Sequence, residues 1–437
     1  MMSEYDAIVV GAGPAGATAA LTMAQKGMRV LLLERGESAG AKNMFGGMLA
    51  YTPVPEKLLP GFWERAPWER HVVKRVLTVV GEGSSTSVAY HSDHGRERPG
   101  ERPYAGFTLF RPRFDRWYAE RAREAGVTLL CGCMVEGLVV QDGQVGGVRV
   151  ARSEGVVEAP LVIACDGALS FLAQEAGLYE GPKPEQVALG VRALYRLGEQ
   201  EVNERFGLSG REGATHEFLG CTDGIRGGGF VYTQTETLAV GMVLHLDSLK
   251  EKGIAPYDLL ERFVASAGVA PFLKGGRLVE YSAHLLPEGG IDMVPRLSTG
   301  GLLVAGDAAA LCYTNGLTQE GMNLAMTSGY IAGAVAAEAV AGGDVSAGML
   351  ALYEEMLRES SVIKDMTTFG RAVDFLHRDR LYSVYPRVVG RVMDGIYGTD
   401  GTPKLNVGTL GRDALKGAVP LRQLIGDALE AGKAFLW

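Results

Sequence analysis

Residues 5–16 read YDAIVVGAGPAG, and residues 28–34 read MRVLLLE. Tyr5 to Val10 is a short apolar run that stops at Gly11, Gly13 and Gly16. Ala17 to Lys26 has helical character, Gly27 suits a helix C-cap, and Arg29 to Leu33 is a second apolar run closed by Glu34 and Arg35. This is a βαβ unit of about 30 residues, which implies a parallel sheet. Gly11 permits the tight turn, Gly13 lets the backbone approach a pyrophosphate, and Gly16 allows close packing of helix on strand. The helix start at Pro14, Ala15 and Gly16 offers the N–H groups of Ala15 and Gly16, Pro14 having none, and a positive dipole end to phosphates. Glu34 is placed to accept hydrogen bonds from a ribose. Strand, helix, strand and acid together mark a dinucleotide site, without choosing between NAD and FAD.

Two further motifs make that choice. Asp166-Gly167 follows the apolar run Leu161 to Cys165, and Gly306-Asp307 follows Leu302 to Ala305. Each alone could be a turn or a capped helix start. Residues 316–325, GLTQEGMNLA, then carry Gly316, Gly321, Met322 and Asn323 into a helical stretch. An aspartate at a strand's carboxyl end can hold a sugar-alcohol hydroxyl. A helix N-terminus near Gly321 can stabilise negative charge on a reduced flavin ring. Three such motifs in this order favour FAD.

Working outward, Arg111 to Ala125 has helical spacing, and Thr128 to Leu130, Val135 to Gln141 and Val145 to Val150 read as strands. Residues 175–295 change character, with β-type segments at Val187 to Tyr195, Gly229 to Thr233, Leu238 to Leu246 and Leu278 to Ser282, and one helix, Tyr257 to Ala267. Parallel-sheet character returns at Gly300, and residues from about 345 read as helices.

Composition narrows the classes. Hydrophobic residues are 47% and charged residues 22%, enough to bury a sizeable core. Glycine, at 61 of 437, is about twice the usual share, which suits tight turns and close approaches to something bound. A net charge of −8 argues against a nucleic-acid partner. Cys131, Cys133, Cys165, Cys221 and Cys312 form no C-x-x-C and read as reduced thiols. His91-Ser-Asp93-His94 reads as a solvated loop, so no metal site is expected. Met1-Met2-Ser3-Glu4 lacks the pattern of a secretory signal. Met326 to Gly343 carries Glu338 and reads as a helix packed closely on a sheet rather than a span.

The motif order resembles a flavoprotein superfamily that contains aromatic hydroxylases, geranylgeranyl reductases and electron-transfer-flavoprotein:quinone oxidoreductases. The stretches Gly40 to Gly47, Gly227 to Thr233 and Leu278 to Glu288 resemble the FixC-type branch of the last group, over residues 5 to 430. The resemblance implies an α/β chain: a Rossmann-like FAD-binding domain of the glutathione-reductase/hydroxylase type, with an inserted antiparallel β-sheet substrate domain and a helical C-terminal region. The expected division gives residues 1–75, 101–174 and 296–345 to the FAD domain. Residues 76–100 and 175–295 form the substrate or quinone domain, and 346–437 the helical region.

The resemblance also implies roles. Gly11, Gly13 and Gly16 hold the pyrophosphate, Glu34 the adenosine ribose, and Lys42, Asn43, Gly46 and Gly47 lie beside the isoalloxazine. Arg111 contacts the phosphate or ribityl region, Asp307 binds the ribityl chain, and Gly321 to Asn323 face the flavin pyrimidine. Asn323 and the pair Gln319-Glu320 depart from the FixC pattern, which puts the redox tuning in question. No acid/base pair or nucleophile is expected.

Expected partners are an electron-transfer flavoprotein of the FixA/FixB type, a quinone, and a separate ferredoxin-like FixX-type subunit, since no cysteine follows Cys312. Electron bifurcation in the complex is part of the same expectation. The implied location is cytoplasmic, with peripheral contact to the cytoplasmic membrane; Tyr104 to Phe110 and Leu381 to Val389 are the candidate contact stretches. The competing readings are an NAD(P)H-dependent monooxygenase, a geranylgeranyl-type reductase, and a flavin-bearing structural subunit.

Overall fold

The computed structural model describes residues 4–42, 47–92, 106–151 and 155–436. Asn43 and Gly46 of the expected site, Asp93 and His94 of the polar loop, and Tyr104 lie outside them. The chain enters through β1 (Ala7–Val10), α1 (Pro14–Gln25) and β2 (Val30–Leu33). It then supplies β3 (Met48–Leu49), β4 (Trp68–Val80), β5 (Ser85–His91) and β6 (Phe107–Leu109) to a second sheet. The Arg111–Glu124 helix and β7 (Thr128–Leu130) return to the first. A small antiparallel sheet follows, made of β8 (Val135–Gln141), β9 (Gln144–Val150) and β10 (Val156–Glu158). After β11 (Val162–Ala164) in the first sheet, β12 (Val187–Arg196), β13 (Glu212–Leu219), β14 (Gly227–Thr233), β15 (Thr237–His245) and β16 (Arg277–Pro287) complete the second. The chain then closes the first sheet with β17 (Ser298–Thr299) and β18 (Leu302–Val304) before the Met322–Gly342 helix.

The first sheet runs β17-β18-β11-β1-β2-β7, parallel except at the β17–β18 edge. Its strands β1, β2, β11 and β18 are apolar at every position and buried throughout, as a parallel sheet covered on both faces requires. The Met322–Gly342 helix lies against α1. A Cβ on Gly329 would sit 2.2 Å from the Ala15 carbonyl oxygen, and one on Gly333 2.6 Å from that of Ala19. Bare backbone there is what lets the two helices touch. The helix is long and apolar enough to cross a bilayer, but 67% of its apolar window is buried in the fold.

The second sheet runs β16-β12-β15-β14-β13-β4-β6-β3, with β5 on β4; it is antiparallel except for the β13–β4 pair. β4 spans residue 75, so a domain division at that residue passes through a strand. One face of this sheet packs Val191, Val231, Val240 and Met242 against the helices Glu199–Phe206 and Pro256–Ala265, forming a second core. The other face looks toward the first domain. The C-terminal region is helical from Ala347 to Phe435, and Arg378, Arg380 and Tyr385 converge there on the Asp427 carboxylate.

Candidate functional site

Three of the expected motifs sit at the carboxyl ends of three adjacent parallel strands, β18, β11 and β1. That is the crevice where open α/β sheets bind ligands. Gly11, at φ +98°, faces the Cys165 carbonyl oxygen, which a Cβ would approach to 2.3 Å. A Cβ on Gly16 would lie 1.9 Å from the Gly11 carbonyl oxygen. These two glycines are demanded by the protein itself. Gly13 is different: the nearest atom to a Cβ there is an Arg111 guanidinium nitrogen at 4.0 Å. Gly13 caps α1 without any side-chain hydrogen bond, so no side chain caps the N–H groups that follow Pro14, and Gly13, Ala15 and Gly16 border the cavities described below.

Glu34 holds the loop in shape. Its Oε2 accepts from the Ala12 N–H at 3.0 Å and its Oε1 from the Gly36 N–H at 2.7 Å. A carboxylate has about four acceptor sites, so two such bonds leave capacity for a ribose. Asp166 Oδ2 accepts from the Leu172 N–H at 3.1 Å. Its Oδ1 is buried with no hydrogen-bond partner among the described residues. Burial holds the Asp166 carboxyl above the usual carboxylate range.

These residues line two adjoining cavities. One, of about 520 Å³, is bordered by Gly11, Glu34, Arg35, Lys42, Asp166 and Gly167. The other, of about 170 Å³, is bordered on the first-domain side by Pro14, Ala15, Gly16, Arg111, Gly321 and Met322. Gly13, Cys165, Gly167, His284 and Asp307 border both, so the two form one elongated cleft. Arg111 grips Asp115 through Nε and Nη2 at 2.9 and 2.8 Å. Burial raises the Asp307 carboxyl, with Arg111 and His284 opposing it; burial lowers the His284 imidazole, with Asp307 opposing.

An extended cleft, a loop that leaves room only at Gly13, uncapped helix starts at Gly13 and Gly321, and an unsatisfied Asp166 oxygen fit an extended FAD. Gly306 stands at the end of β18 at φ +68°, where a Cβ would meet the Ala15 methyl at 2.7 Å.

Other expected residues serve the protein. Gly316 borders neither cavity. It sits in a turn at φ +88°, closed by Thr314 and Asn315 side chains, against the Phe435 ring. Asn323 donates to Glu320 Oε2 at 2.7 Å and also borders neither. Its neighbour Gln319 donates to Glu288, a buried carboxyl pushed up to about 7. The two departures from the FixC pattern are therefore engaged in pairs of their own.

Of the stretches expected to touch a membrane, the described part of the first, 106–110, is internal, while Leu381 to Val389 is half-buried for the most part. Phe107 and Leu109 are core residues of β6, Tyr382 is buried, and Tyr385 donates to Asp427.

The roof of the cleft was not foreseen residue by residue. Ladder pairing sets Arg192 opposite Gly241, Gly241 opposite Phe230, and Phe230 opposite Glu217, so these four share one row and one face. Tyr232, Ala239, Val243 and His284 lie on the same face, and all border the smaller cavity. Gly47 meets this roof: a Cβ there would press to 2.9 Å on the Tyr232 ring. The quoted stretches Gly227 to Thr233 and Leu278 to Glu288 are β14 and β16 of this sheet. The available signal is alternation, because Arg192, Glu217 and His284 each place a polar side chain on the face of its strand opposite the one that carries most of the apolar residues.

Residues 6–184 match the model of the FAD dependent oxidoreductase family, and residues 362–436 match that of the ETF-QO/FixC family C-terminal domain. The chain is 38% identical to the probable electron transfer flavoprotein-quinone oxidoreductase YdiS of Escherichia coli, over 96% of this chain and 99% of that one. It is 39% identical to protein FixC of Azorhizobium caulinodans, over 99% of both. A geranylgeranyl bacteriochlorophyll reductase-like protein from Thermoplasma acidophilum shares the fold, with a TM-score of 0.72 over 98% of this chain and 100% of that one at 21% identity.

Proposed function

The chain belongs to the ETF-QO/FixC family of FAD-dependent electron-transfer oxidoreductases, and from that premise we propose that it takes electrons from a reduced electron-transfer flavoprotein and delivers them to a quinone. The observation that carries this reading is the cleft's second compartment. Its roof sets the aromatic and aliphatic side chains of Phe230, Tyr232, Ala239 and Val243 among polar Arg192, Glu217 and His284, and it faces the Gly321–Met322 helix start across the cavity. That suits a flat apolar acceptor laid beside a flavin.

FAD, when bound, supplies the redox chemistry of the relay. The protein's own part is position and field. Gly13 and the start of α1 hold the pyrophosphate, Asp307 and Arg111 the middle of the cofactor, and Glu34 the ribose. The uncapped Met322–Gly342 helix start offers N–H groups to negative charge at the flavin's pyrimidine end. The same reading includes FixA/FixB-type donor subunits, a FixX-type ferredoxin-like subunit, and bifurcation in the assembled complex. We place peripheral membrane contact on the C-terminal helix Leu421–Phe435, where Leu421, Ile425 and Leu429 are exposed at four-residue spacing.

Anaerobic addition of NADH or NADPH to the purified flavoprotein should leave the flavin absorbance unchanged, while a reduced electron-transfer flavoprotein bleaches it. Rapid bleaching by either nicotinamide alone would overturn the relay and favour a directly reduced oxygenase or reductase.

A further inference from the structure

We infer that Arg192 and Glu217 are the two polar poles of the acceptor compartment, Arg192 donating hydrogen bonds to an acceptor oxygen and Glu217 delivering the proton that completes its reduction. This rests on the quinone reading above and adds the residues that handle the acceptor.

Arg192 is 2% exposed, and its Nη2 is paired with Glu280. Its Nε and Nη1 have no hydrogen-bond partner among the described residues, although the side chain borders the cavity. Two buried, unsatisfied N–H groups cost free energy unless something enters to accept from them. A fork of N–H donors suits a carbonyl oxygen that gains negative charge as it is reduced.

Glu217 stands in the same row, three strand spacings away, about 14 Å between backbones. Between them Gly241 carries no side chain, and the Phe230 ring lies over it; a Cβ on Gly241 would come within 2.4 Å of that ring. The row is thus charged at each end and flat and apolar in the middle, the pattern of a ring with polar substituents.

Burial pushes the Glu217 carboxyl up to about 7, against the opposing pull of Arg75 from β4. Tyr232 faces it from β14, and Glu320 acts on Arg75 from below. Near neutral pH the group can therefore carry the proton it gives.

The balance is simple. A quinone becomes a quinol by gaining two electrons and two protons. With FAD bound, the two electrons and one proton would be supplied by the reduced cofactor. The second proton leaves Glu217, which remains as carboxylate until solvent reloads it.

The test separates the half-reactions. Holoenzyme is reduced with dithionite, then mixed in stopped flow with a water-soluble ubiquinone across pH 5.5–8.5. The wild type should reoxidise with a rate that falls as pH rises through about 7, because the donor form is lost. Glu217→Gln, nearly isosteric, should slow reoxidation about 100-fold or more and remove that pH step. Arg192→Lys should keep the charge beside Glu280 but lose the fork, raising the half-saturating quinone about tenfold with little change in limiting rate.

A binding readout stands apart from turnover. Heptyl-hydroxyquinoline N-oxide, titrated by fluorescence into oxidised holoenzyme, should bind about tenfold more weakly to Arg192→Lys and normally to Glu217→Gln. If wild-type enzyme is not reoxidised by quinone, the quinone reading falls and takes this assignment with it. If wild type is reoxidised and both variants behave identically to it, only the assignment falls. Loss of flavin from Glu217→Gln would also overturn it, by placing that residue in cofactor retention.

Discussion

The cleft's floor and roof are built on opposite plans. The floor is a parallel sheet whose side chains are spent on its own core, so its chemistry comes from backbone and loops beyond the strand ends. The roof is an antiparallel sheet that uses both faces, one for the second core and one for the cavity. Function in the floor therefore depends on glycines and helix starts, and in the roof on alternate side chains along strands. Damage to the floor should cost the protein its cofactor, and its stability too wherever the residue also packs the floor, as Gly16 does and Gly13 does not. Damage to the roof, as at Glu217, should leave the flavin bound and change only what it reacts with.

The largest expected effect tests whether the floor is dry. Arg111 and Asp115 are both buried, and Arg111 opposes the burial that raises the Asp115 carboxyl. Arg111→Ala strands that carboxyl, and the loss should be about 3–5 kcal/mol at neutral pH. The deficit should shrink as pH falls, because a protonated Asp115 no longer needs a cation. Urea unfolding of the apoprotein at several pH values measures it. A loss below about 1 kcal/mol would mean that water reaches the pair.

Next in size is Gly16→Ala. The new methyl must find room against a backbone oxygen now 1.9 Å from its position and the Val9 side chain at 3.2 Å. Neither is the loose end of a flexible chain, so α1 must move off β1, at about 1–3 kcal/mol. The N–H groups at the start of α1 move with it. Flavin content after purification should fall sharply, and full retention would show that the helix start is not what positions the cofactor.

The same contrast explains what was legible. Gly11 and Gly16 could be read because each meets a local need that a short stretch of sequence announces, whereas the hold of Glu34 on the Ala12 and Gly36 N–H groups could not. The placement of Asp166 and Asp307 after buried parallel strands could be read because each follows a short apolar run. Arg192 and Glu217 could not, because they become neighbours only through β12-β15-β14-β13 pairing, and register is not visible in one strand. Gly316 misled for the opposite reason. The flavin-like stretch around it points to the cofactor, while a turn and the Phe435 ring already account for a glycine there. Likewise β6 looked like an apolar surface, but apolar runs do not distinguish core from membrane face.

The smallest effect on stability is the most telling for function. Gly13 has φ −75° and ψ −174°, a conformation open to any residue, and a Cβ there would meet nothing closer than Arg111 at 4.0 Å. Gly13→Ala should thus leave the apoprotein within about 0.5 kcal/mol of wild type, or make it more stable by restricting the unfolded chain. Nothing in the packing of the described residues explains the glycine. If space beside Gly13 is where a pyrophosphate lies against bare backbone, the alanine methyl will intrude on that ligand alone. Flavin affinity should then fall about tenfold or more while the unfolding midpoint of the apoprotein stays put. Gly16→Ala loses both together, so the pair separates a glycine kept for packing from one kept for a ligand. Equal flavin affinity in Gly13→Ala and wild type would move the pyrophosphate away from this loop and break the account of the floor.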